Sequence, residues 1–417
     1  MKIVLMDLWT DANKGDEALQ GGLISMLRDK HRKAKLVGVF RFGLNEFEDA
    51  KPEIQKTLGL LDEAHGGLRK TLYAGSNALK LKGAVHLLFS LYSFAELLVL
   101  LAMYKLGLRA LVPAKFRIVM DDIHTADAVV WKGKNFRSYG GLGGINRQAT
   151  LLIAGVISRV LNPRVFCVNA SIWNMNSGVE RWMVKSVLNF CQSVCVRDAG
   201  SLVAAKALGI KNYFFAHDLS FYYLNILASK EKVKREKGAM ALTITKWGSA
   251  KANEQYIKSV VAAVLALVDK GITDVYVVPQ VIRVAEANDV LIERLNADIK
   301  ASGKSCVVHN IEEELTIPQL MQYYARCSVL VGTRMHSCVF SRFVGTPFVG
   351  IAYDDGPKWD ILREFWPKDL IVPYGVSEAD LVEKSLRAYT NGPALIKASE
   401  AAFSELPAHS YKNVRDI

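Results

Sequence analysis

The sequence predicts an α/β protein with two Rossmann-like lobes that face a cleft, and three observations support this prediction. The chain has 417 residues, which is more than a single hydrophobic core usually holds. Near-continuous Val, Ile and Leu runs of strand length alternate with amphipathic stretches of helix length, which is typical of parallel sheets covered on both faces. This alternation stops at a charged, apolar-poor stretch, residues 227–238, and then starts again. Two successive doubly wound domains are therefore expected, with ligands at the carboxyl ends of their strands.

The first lobe is predicted over residues 1–226. Its strand candidates are KIVLMDLW, KLVGVFRF, DAVVWKG, RVFCVNAS, SVCVRD and KNYFFAHD. The stretches between them have helical periodicity, as in NKGDEALQGGLISMLRDKH, QATLLIAGVISRVL and VERWMVKSVLNFC. The helix SLVAAKALG ends at Gly209, a residue that favours the left-handed turn closing many helices.

The second lobe is predicted over residues 239–390, after an exposed linker over residues 227–238. Its strand candidates are MALTITKW, DVYVVPQ, CVVHN, SVLVGT and PFVGIAY. Helical stretches separate them, among them YIKSVVAAVLALVDKG, DVLIERLNADIKAS and TIPQLMQYYARC. Residues 391–417 are predicted to form a helical tail.

Charge and cysteine content limit the possible partners and the compartment. A formal net charge of +12 indicates an anionic partner, such as a phosphate or a lipid headgroup. The six cysteines lie mostly in apolar runs without a Cys-x-x-Cys pair, which is typical of buried thiols in a reducing compartment. The first residues lack the pattern of a secretory leader, so a cytoplasmic protein is expected. No His, Asp and Glu residues have metal-ligand spacing, and no metal site is predicted.

The first lobe carries an insert, residues 66–118, in which basic and apolar residues are concentrated. Between residues 66 and 120, eight Lys and Arg residues accompany a single acid, Glu96. Residues 84–104 read AVHLLFSLYSFAELLVLLAMY, which is long enough to span a membrane. A central glutamate is costly in the bilayer core, so a helix lying in the membrane interface is the favoured interpretation. A buried core or dimer helix and a true span are the alternatives. The favoured interpretation predicts peripheral binding to the inner face of the membrane.

Polar residues follow several predicted strands, where parallel-sheet geometry brings side chains together. Asn13, Gly15 and Asp16 follow the first strand, and Asp16 also suits the first turn of a helix as a capping acid. The other candidates are Asn169, Arg197, Lys246, Gln280, Arg334 and His336.

Arg334 and His336 occupy the turn between the strand SVLVGT and the next predicted helix. A guanidinium at a helix N-terminus adds positive charge to the positive end of the helix dipole, which is unfavourable unless an anion binds there. A histidine in the same turn can exchange a proton near neutral pH. Their spacing lets both side chains face one ligand. The alternative is structural, with the arginine paired to a carboxylate and the histidine bonded to the backbone.

Five motifs in order along the chain resemble those of the polysaccharide pyruvyl transferases. These are NKGDEA, VRDAGS, HDLSF, GTRMHS and GTPFVGIAYDDGPKWD, which begin at residues 13, 196, 217, 332 and 345. The resemblance covers most of the chain apart from the insert. It implies a GT-B-like arrangement of two lobes, with the acceptor on the first lobe and the donor on the second. It also implies transfer of pyruvate from phosphoenolpyruvate onto two hydroxyls of a sugar, which forms a ketal.

Under this resemblance the candidate residues receive roles. The phosphate and carboxylate of phosphoenolpyruvate require at least two cations, which Arg334 with Arg197 or Lys246 would supply. His336 is the candidate general acid, so the catalytic set is His336, Arg334 and Arg197. The donor-binding set is Lys246, Gln280, Thr333, Ser337 and Lys358. The acceptor-binding set is Asn13, Gly15, Asp16, Asn169, Trp173 and Tyr353.

The expected partners follow from the same interpretation. No obligatory cofactor or metal is predicted, with phosphoenolpyruvate as the donor substrate. The acceptor is expected to be a glycan or lipid-linked oligosaccharide of surface-polysaccharide assembly, because residues 84–104 would hold the first lobe at a membrane. Tryptophans near strand ends, such as Trp173, could stack on sugar faces, although core packing explains any single one equally well.

Two other functions are compatible with the same sequence. A GT-B glycosyltransferase using a nucleotide sugar would need an acid for the ribose, for which Glu286 and Asp289 are candidates. A non-catalytic membrane-associated scaffold would tolerate changes at Arg334 and His336. Nucleic-acid binding is disfavoured, because the positive charge is interleaved with large apolar residues rather than with a polar aromatic surface.

Overall fold

A computed structural model describes most of the chain: residues 1–44, 46–68, 84–228, 235–236, 238–281 and 288–417. Side chains are described in the same ranges, except those of residues 84–91, 288 and 289. Of the sequence candidates, Glu286 and the side chain of Asp289 therefore lie outside the described residues, as does much of the insert and of the linker.

The described chain divides into two compact units. Unit 1 contains Met1–Asp11, Leu19–Leu219 and His409–Ile417, and unit 2 contains Ala12–Ala18 and Ser220–Ala408. The division after Leu219 lies near the predicted boundary at residue 226. Two short segments differ from the prediction, since residues 12–18 belong to unit 2 and residues 409–417 to unit 1.

Unit 1 is built on a parallel sheet whose central strands are almost entirely buried. Its strands are β1 (Lys2–Leu8), β2 (Lys35–Gly43), β3 (Glu63–Gly67), β4 (Ala128–Lys132), β5 (Asn135–Phe136), β6 (Val165–Ile172), β7 (Ser193–Val196) and β8 (Tyr213–Phe215). The strand order is β3-β2-β1-β4-β6-β7-β8, and β5 pairs with β6. The order reverses between β1 and β4, which is the topological switch point of a doubly wound sheet.

The helices of unit 1 follow the strands as the hydrophobic periodicity predicts. They are α1 (Lys14–Lys30), α2 (Phe47–Ala50), α3 (Gln55–Leu58), α4 (Ala84–Lys105), α5 (Ala114–His124), α6 (Gly141–Leu161), α7 (Gly178–Leu188) and α8 (Ala199–Leu208). Helix α1 begins in unit 2 and continues in unit 1. Helix α8 shows the local reasons for its length: Asp198 caps its N-terminus by accepting from the Ser201 N–H, and Gly209 closes it with φ of 70°.

Unit 2 has a six-stranded parallel sheet. Its strands are β9 (Ala239–Thr243), β10 (Asp274–Val277), β11 (Val307–Asn310), β12 (Leu330–Gly332), β13 (Phe348–Ala352) and β14 (Ile371–Pro373). The order β11-β10-β9-β12-β13-β14 is 3-2-1-4-5-6 when counted within the unit, and the switch point lies between β9 and β12. Its helices are α9 (Ser220–Ala228), α10 (Ala250–Val268), α11 (Asn288–Ala301), α12 (Ile317–Arg326), α13 (Met335–Phe343), α14 (Asp360–Arg363), α15 (Glu378–Thr390) and α16 (Gly392–Ser410).

The C-terminal segment packs into unit 1 through a histidine pair and backbone hydrogen bonds. The rings of His217 and His409 lie 4.5 Å apart, and burial, followed by the neighbouring His409, lowers the pKa of His217 to about 4. Ser410 donates to the Asp218 carbonyl at 2.8 Å, and Asn413 donates to the His217 carbonyl at 2.8 Å. These bonds explain why residues 409–417 belong to unit 1 rather than to a separate tail.

Helix α4 coincides with the apolar stretch of the insert. Leu97, Leu100, Leu101 and Tyr104 form its buried face in the core of unit 1. Among the described residues, no helix is long and apolar enough to cross a membrane.

Candidate active site

The turn that joins β12 to α13 lies at the switch point of unit 2 and carries two of the predicted catalytic residues. Strand β12 is fully buried, and α13 starts three residues after it ends. Arg334 is the N-cap of α13 and makes no side-chain capping bond there. Arg334 and His336 are both half-buried, whereas most of their neighbours in the turn and in α13 are buried. The structure therefore places a guanidinium and an imidazole together where doubly wound folds bind ligands.

Hydrogen bonds of buried hydroxyl groups stabilise this turn. The hydroxyls of Thr333 and Tyr256 share a hydrogen bond of 2.6 Å, and those of Ser337 and Thr243 share one of 2.8 Å. Ser337 also donates to the Arg334 carbonyl at 2.6 Å. Thr333 and Ser337, predicted to bind the donor, are fully buried and hold the turn in place in this structure.

The Asn13–Asp16 loop, where helix α1 begins, packs directly against the His336 ring. A Cβ at Gly15 would lie 2.8 Å from Cγ and Cε1 of His336 and closer still to Nδ1, so only glycine leaves room for the ring. Asn13 accepts from the Gly15 N–H at 3.1 Å and donates to the Asp16 carboxylate at 3.0 Å. Asn13, Gly15 and Asp16 were predicted as acceptor-binding residues of the first lobe. The structure places them in unit 2, beside the proposed acid.

Backbone pairing explains why this loop belongs to unit 2. The Lys14 N–H donates to the Gln280 carbonyl at 3.1 Å, and Asn13 forms an isolated antiparallel bridge with Val281. The Gln280 side chain, predicted to bind the donor, is buried and donates to the Tyr324 hydroxyl at 2.7 Å. In this structure Gln280 helps to position the Asn13–Asp16 loop.

A buried lysine in this loop was not anticipated from the sequence. The Lys14 side chain is fully buried, and its ammonium lies 2.8 Å from Glu17 and 3.5 Å from Glu314. A buried lysine needs such partners, because an uncompensated charge is costly away from water. The spacing of Lys14 and Glu17 three residues apart was a signal for this pair, but the burial and Glu314 depend on the tertiary fold.

A second group of predicted residues lies on the loops after β9 and β13. Lys246 follows β9 and is exposed. The Lys358 ammonium lies 2.7 Å from the Tyr353 hydroxyl, 2.9 Å from the Asp354 carboxylate and 4.0 Å above the Tyr353 ring. The Tyr353 ring in turn packs 4.7 Å from the Trp247 ring. Lys358 and Tyr353, assigned to different substrates from the sequence, thus form one local cluster.

The remaining predicted residues lie in unit 1. Arg197 is only 6% exposed, and it donates to Ser171 at 2.8 Å, Asn135 at 2.8 Å and the Asp218 carboxylate at 3.0 Å. Asn169 is buried with φ of 58°, and it accepts from the Leu219 N–H at 3.2 Å. Trp173 is half-buried at the end of β6. Since Asp218 already compensates the charge of Arg197, Lys246 is the better candidate for the second donor-binding cation.

Unit 1 also brings together three groups that could in principle hold a metal ion. Ligand atoms of Glu63, His65 and Asp122 lie within 4.8 Å of one another. Lys35 binds Glu63 at 2.6 Å and Lys2 binds Asp122 at 3.0 Å, so lysines already balance the two carboxylates. We assign no metal to this group.

Two doubly wound parallel sheets, with a cationic turn at the switch point of the second, define a GT-B-type protein. Solved structures agree with this class. UDP-GlcNAc 2-epimerase from Neisseria meningitidis matches with a TM-score of 0.62 at 11% identity, over 100% of this chain and 99% of that one. A putative UDP-N-acetylglucosamine 2-epimerase from Listeria monocytogenes matches with a TM-score of 0.57 at 12% identity, over 99% of this chain and 94% of that one. A ugt transferase from Siraitia grosvenorii matches with a TM-score of 0.52 at 11% identity, over 99% of this chain and 98% of that one. The predicted fold class is confirmed.

A sequence comparison identifies the family to which the chain belongs. The family model of the polysaccharide pyruvyl transferases matches residues 13–355, and the chain belongs to this family. It is therefore a transferase whose family implies a polysaccharide or glycan acceptor, and the resemblance proposed from the five motifs is confirmed. A search of curated protein sequences finds no match.

Proposed function

We propose that the protein transfers pyruvate from phosphoenolpyruvate onto two hydroxyls of one sugar in a surface-polysaccharide precursor, which forms a pyruvate ketal and releases phosphate. The observation that carries the proposal is the turn after β12, which places both Arg334 and His336 at the switch point of unit 2. Membership of the pyruvyl transferase family supports the same reaction class.

The donor is a small dianion or trianion, and cationic side chains suit both of its ends. Arg334 offers a planar fork of N–H donors that matches a carboxylate or a phosphate, and the first turn of α13 adds backbone N–H groups. Lys246 follows the neighbouring strand β9 and supplies a second cation. Since these groups meet the charge of the donor, we propose a reaction without an obligatory metal or organic cofactor.

The proposed chemistry begins with a proton from His336 to the methylene carbon of the donor, which becomes a methyl group and leaves C2 electrophilic. One acceptor hydroxyl adds to C2 and gives up its proton, which returns His336 to its starting state. The C2–O bond to phosphate then breaks, and the phosphate leaves with the bonding electrons while Arg334 stabilises its charge. The second hydroxyl adds to C2, and its proton ends on the released phosphate.

The test is an incubation with phosphoenolpyruvate and a panel of simple and lipid-linked glycosides, with phosphate release and ketal formation measured together. UDP-GlcNAc, bound in the Neisseria structure, replaces phosphoenolpyruvate in a parallel arm. We expect turnover only with phosphoenolpyruvate. Sugar transfer from the nucleotide donor, without ketal formation, would replace our proposal by a glycosyltransferase activity.

The donor-binding role of Arg334 gives a matched pair of variants. Arg334→Ala is expected to raise KM for phosphoenolpyruvate by about 10- to 100-fold, because a charge-assisted hydrogen bond contributes roughly 1.5–3 kcal/mol. Arg363→Ala is the control, since Arg363 is a surface arginine of unit 2 that pairs with Asp360 at 2.7 Å. Equal KM values for the two variants would remove Arg334 from the donor site.

The acceptor is proposed to be lipid-linked, with the protein held at the inner face of the membrane by an apolar, basic surface. The outward face of α4 carries Tyr92, Leu98 and Val99, where an ordinary surface helix carries polar residues. The exposed apolar residues continue past the predicted 84–104 segment at Leu106, which is 76% exposed, and at Leu111, which is 65% exposed. Four Lys and Arg residues and no acid lie between residues 97 and 120, which favours anionic lipids.

Vesicle binding tests this surface. Leu98→Gln, Leu106→Gln and Leu111→Gln together are expected to lower partitioning onto anionic vesicles by about 10³-fold or more, because each buried leucine contributes roughly 1.5–3 kcal/mol. Val203→Gln is the control, because Val203 is equally exposed on helix α8 of the same unit. Unchanged partitioning would refute membrane binding by this surface, and a triple variant that changes only the oligomeric state would show that the surface binds another copy of the chain instead.

A further inference from the structure

A group of arginine and aromatic side chains lies at the carboxyl edge of the unit 1 sheet. The guanidinium carbon of Arg137 lies 5.0 Å from the centroid of the Tyr139 ring and 5.1 Å from that of the Trp173 ring. The guanidinium carbon of Arg147, in the second turn of α6, lies 4.1 Å from the same Tyr139 centroid. These four residues are called the Arg–Tyr cluster below.

The backbone around the Arg–Tyr cluster is held by hydrogen bonds between the segments after β5 and β6. The Trp173 N–H donates to the Phe136 carbonyl at 3.0 Å, and the Ser177 N–H donates to the Ser138 hydroxyl at 2.9 Å. The Tyr139 N–H donates to the carboxylate of the buried Glu180 at 2.9 Å. The cluster therefore sits on a fixed frame at the strand ends rather than on a long unsupported loop.

The charge of the cluster is not balanced locally. Since both guanidinium carbons lie near one ring centroid, at 5.0 and 4.1 Å, they are no more than about 9 Å apart. Within the ranges that the structure describes, neither arginine forms an ion pair with a carboxylate. The sequence has no acid between Asp127 and Glu180, and the Glu180 carboxylate is buried against the Tyr139 backbone. Two like charges at this distance repel each other, and an anion bound beside both guanidinium groups would offset that repulsion.

We propose that the Arg–Tyr cluster binds a phosphate or pyrophosphate group attached to the acceptor sugar, an inference that rests on the proposed pyruvyl transfer. Guanidinium groups bind phosphate oxygens through paired N–H donors, and two of them match the several oxyanions of a pyrophosphate. Trp173 lies at the same strand end and presents an aromatic ring of the kind on which sugars stack. A neutral acceptor would leave both positive charges without a partner, so the acceptor class is a glycosyl phosphate, either free or linked to a lipid.

Calorimetry on the full chain tests the inference with four probes: inorganic pyrophosphate, N-acetylglucosamine 1-phosphate, a prenyl pyrophosphoryl sugar and an uncharged alkyl glycoside of the same sugar. We expect Arg147→Ala and Arg137→Ala each to weaken pyrophosphate binding by at least tenfold, and Arg137→Lys to weaken it less. Arg159→Ala is the matched control, because Arg159 is an exposed arginine in the last turn of the same helix. Arg363→Ala, in unit 2, is expected to bind pyrophosphate as the wild type does, because Arg363 pairs with Asp360.

The result also separates this inference from the proposed function. A prenyl pyrophosphoryl sugar that binds more tightly than the sugar phosphate identifies a lipid-linked source, and equal binding identifies a free one. Absence of pyrophosphate binding, or binding that Arg137→Ala and Arg147→Ala leave unchanged, would overturn the inference. If Arg147→Ala still forms the ketal on a neutral glycoside, the proposed pyruvyl transfer stands whatever the cluster binds. If the cluster binds phosphate but phosphoenolpyruvate is not turned over, only the proposed function is refuted.

Discussion

His336→Ala is expected to lower kcat for phosphoenolpyruvate-dependent ketal formation by about 10²–10⁴-fold, the range typical of a lost general acid. His336 is the imidazole at the start of α13, beside Arg334 and half-buried, so it can meet a ligand at the switch point of unit 2. The methylene carbon of the donor is a poor proton acceptor, and water at neutral pH is a much weaker acid than a positioned imidazolium. The loss therefore falls on kcat rather than on donor binding, in contrast to Arg334→Ala.

Phosphate release and ketal formation under saturating phosphoenolpyruvate measure this effect, and thermal unfolding checks that the fold is intact. His309→Ala provides the control within the same unit, because His309 lies on β11 and pairs with Asp274 at 2.8 Å. His336→Gln keeps a hydrogen-bonding side chain but cannot transfer a proton, so it should be as inactive as the alanine variant. Wild-type kcat in either His336 variant would eliminate the proposed acid.

The fold class could be read from the sequence because buried parallel strands are near-continuous apolar runs. Strands such as β4 and β6 are buried at every position and show no alternation of buried and exposed residues, which separates them from the amphipathic helices between them. The charged stretch at residues 227–238 marked the change from one doubly wound unit to the next. The sequence could not predict the exchange of the short segments, because residues 12–18 are far in sequence from the residues that they contact.

The proposed donor end of the site could be inferred from the sequence, because its signal is local. Arg334 and His336 stand within two residues of each other in a strand-to-helix turn, and their unusual charge at a helix N-terminus is visible without any tertiary structure. The assignment of Asn13, Gly15 and Asp16 to the acceptor rested only on their position in the first half of the chain. Their pairing with Gln280 and Val281 joins residues more than 250 positions apart, which no local pattern reveals.

The balance of charges could not be read from sequence either. Arg197 looked like a second donor-binding cation, but the fold places Asp218 at 3.0 Å from its guanidinium. Lys14 was passed over, and the fold buries it between Glu17 and Glu314. No pattern in the sequence distinguishes Arg137 and Arg147 from other arginines, and only the tertiary structure brings both to one tyrosine ring. A cation becomes a candidate for ligand binding only after its carboxylate neighbours are known.

Gly15→Ala is expected to lower kcat by about 10²–10³-fold, nearly as much as removal of His336, because the new methyl group would occupy the place of the imidazole ring. The backbone does not oppose the change, since Gly15 lies in the first turn of α1 and is not among the positive-φ glycines. Alanine also has a higher helix propensity than glycine by about 1 kcal/mol. The thermal unfolding midpoint should therefore hold close to that of the wild type while activity falls, which separates a displaced ring from a damaged fold. Gly178→Ala is the control, because Gly178 begins helix α7 with nothing within 4 Å of the added Cβ.

A double-mutant cycle decides whether Gly15 acts through His336. If the added methyl group only displaces the imidazole, Gly15→Ala has no further effect on kcat in the His336→Ala background, where no ring is left to displace. Two independent losses that multiply would mean that Gly15 serves the reaction in another way, for example by letting a substrate approach its backbone. The geometry favours the first outcome, because the closest atoms to the added Cβ all belong to the His336 ring. On this view a loop that precedes the proposed acid by more than 300 residues sets its position, and the glycine of the NKGDEA motif is required for the chemistry of the GTRMHS motif.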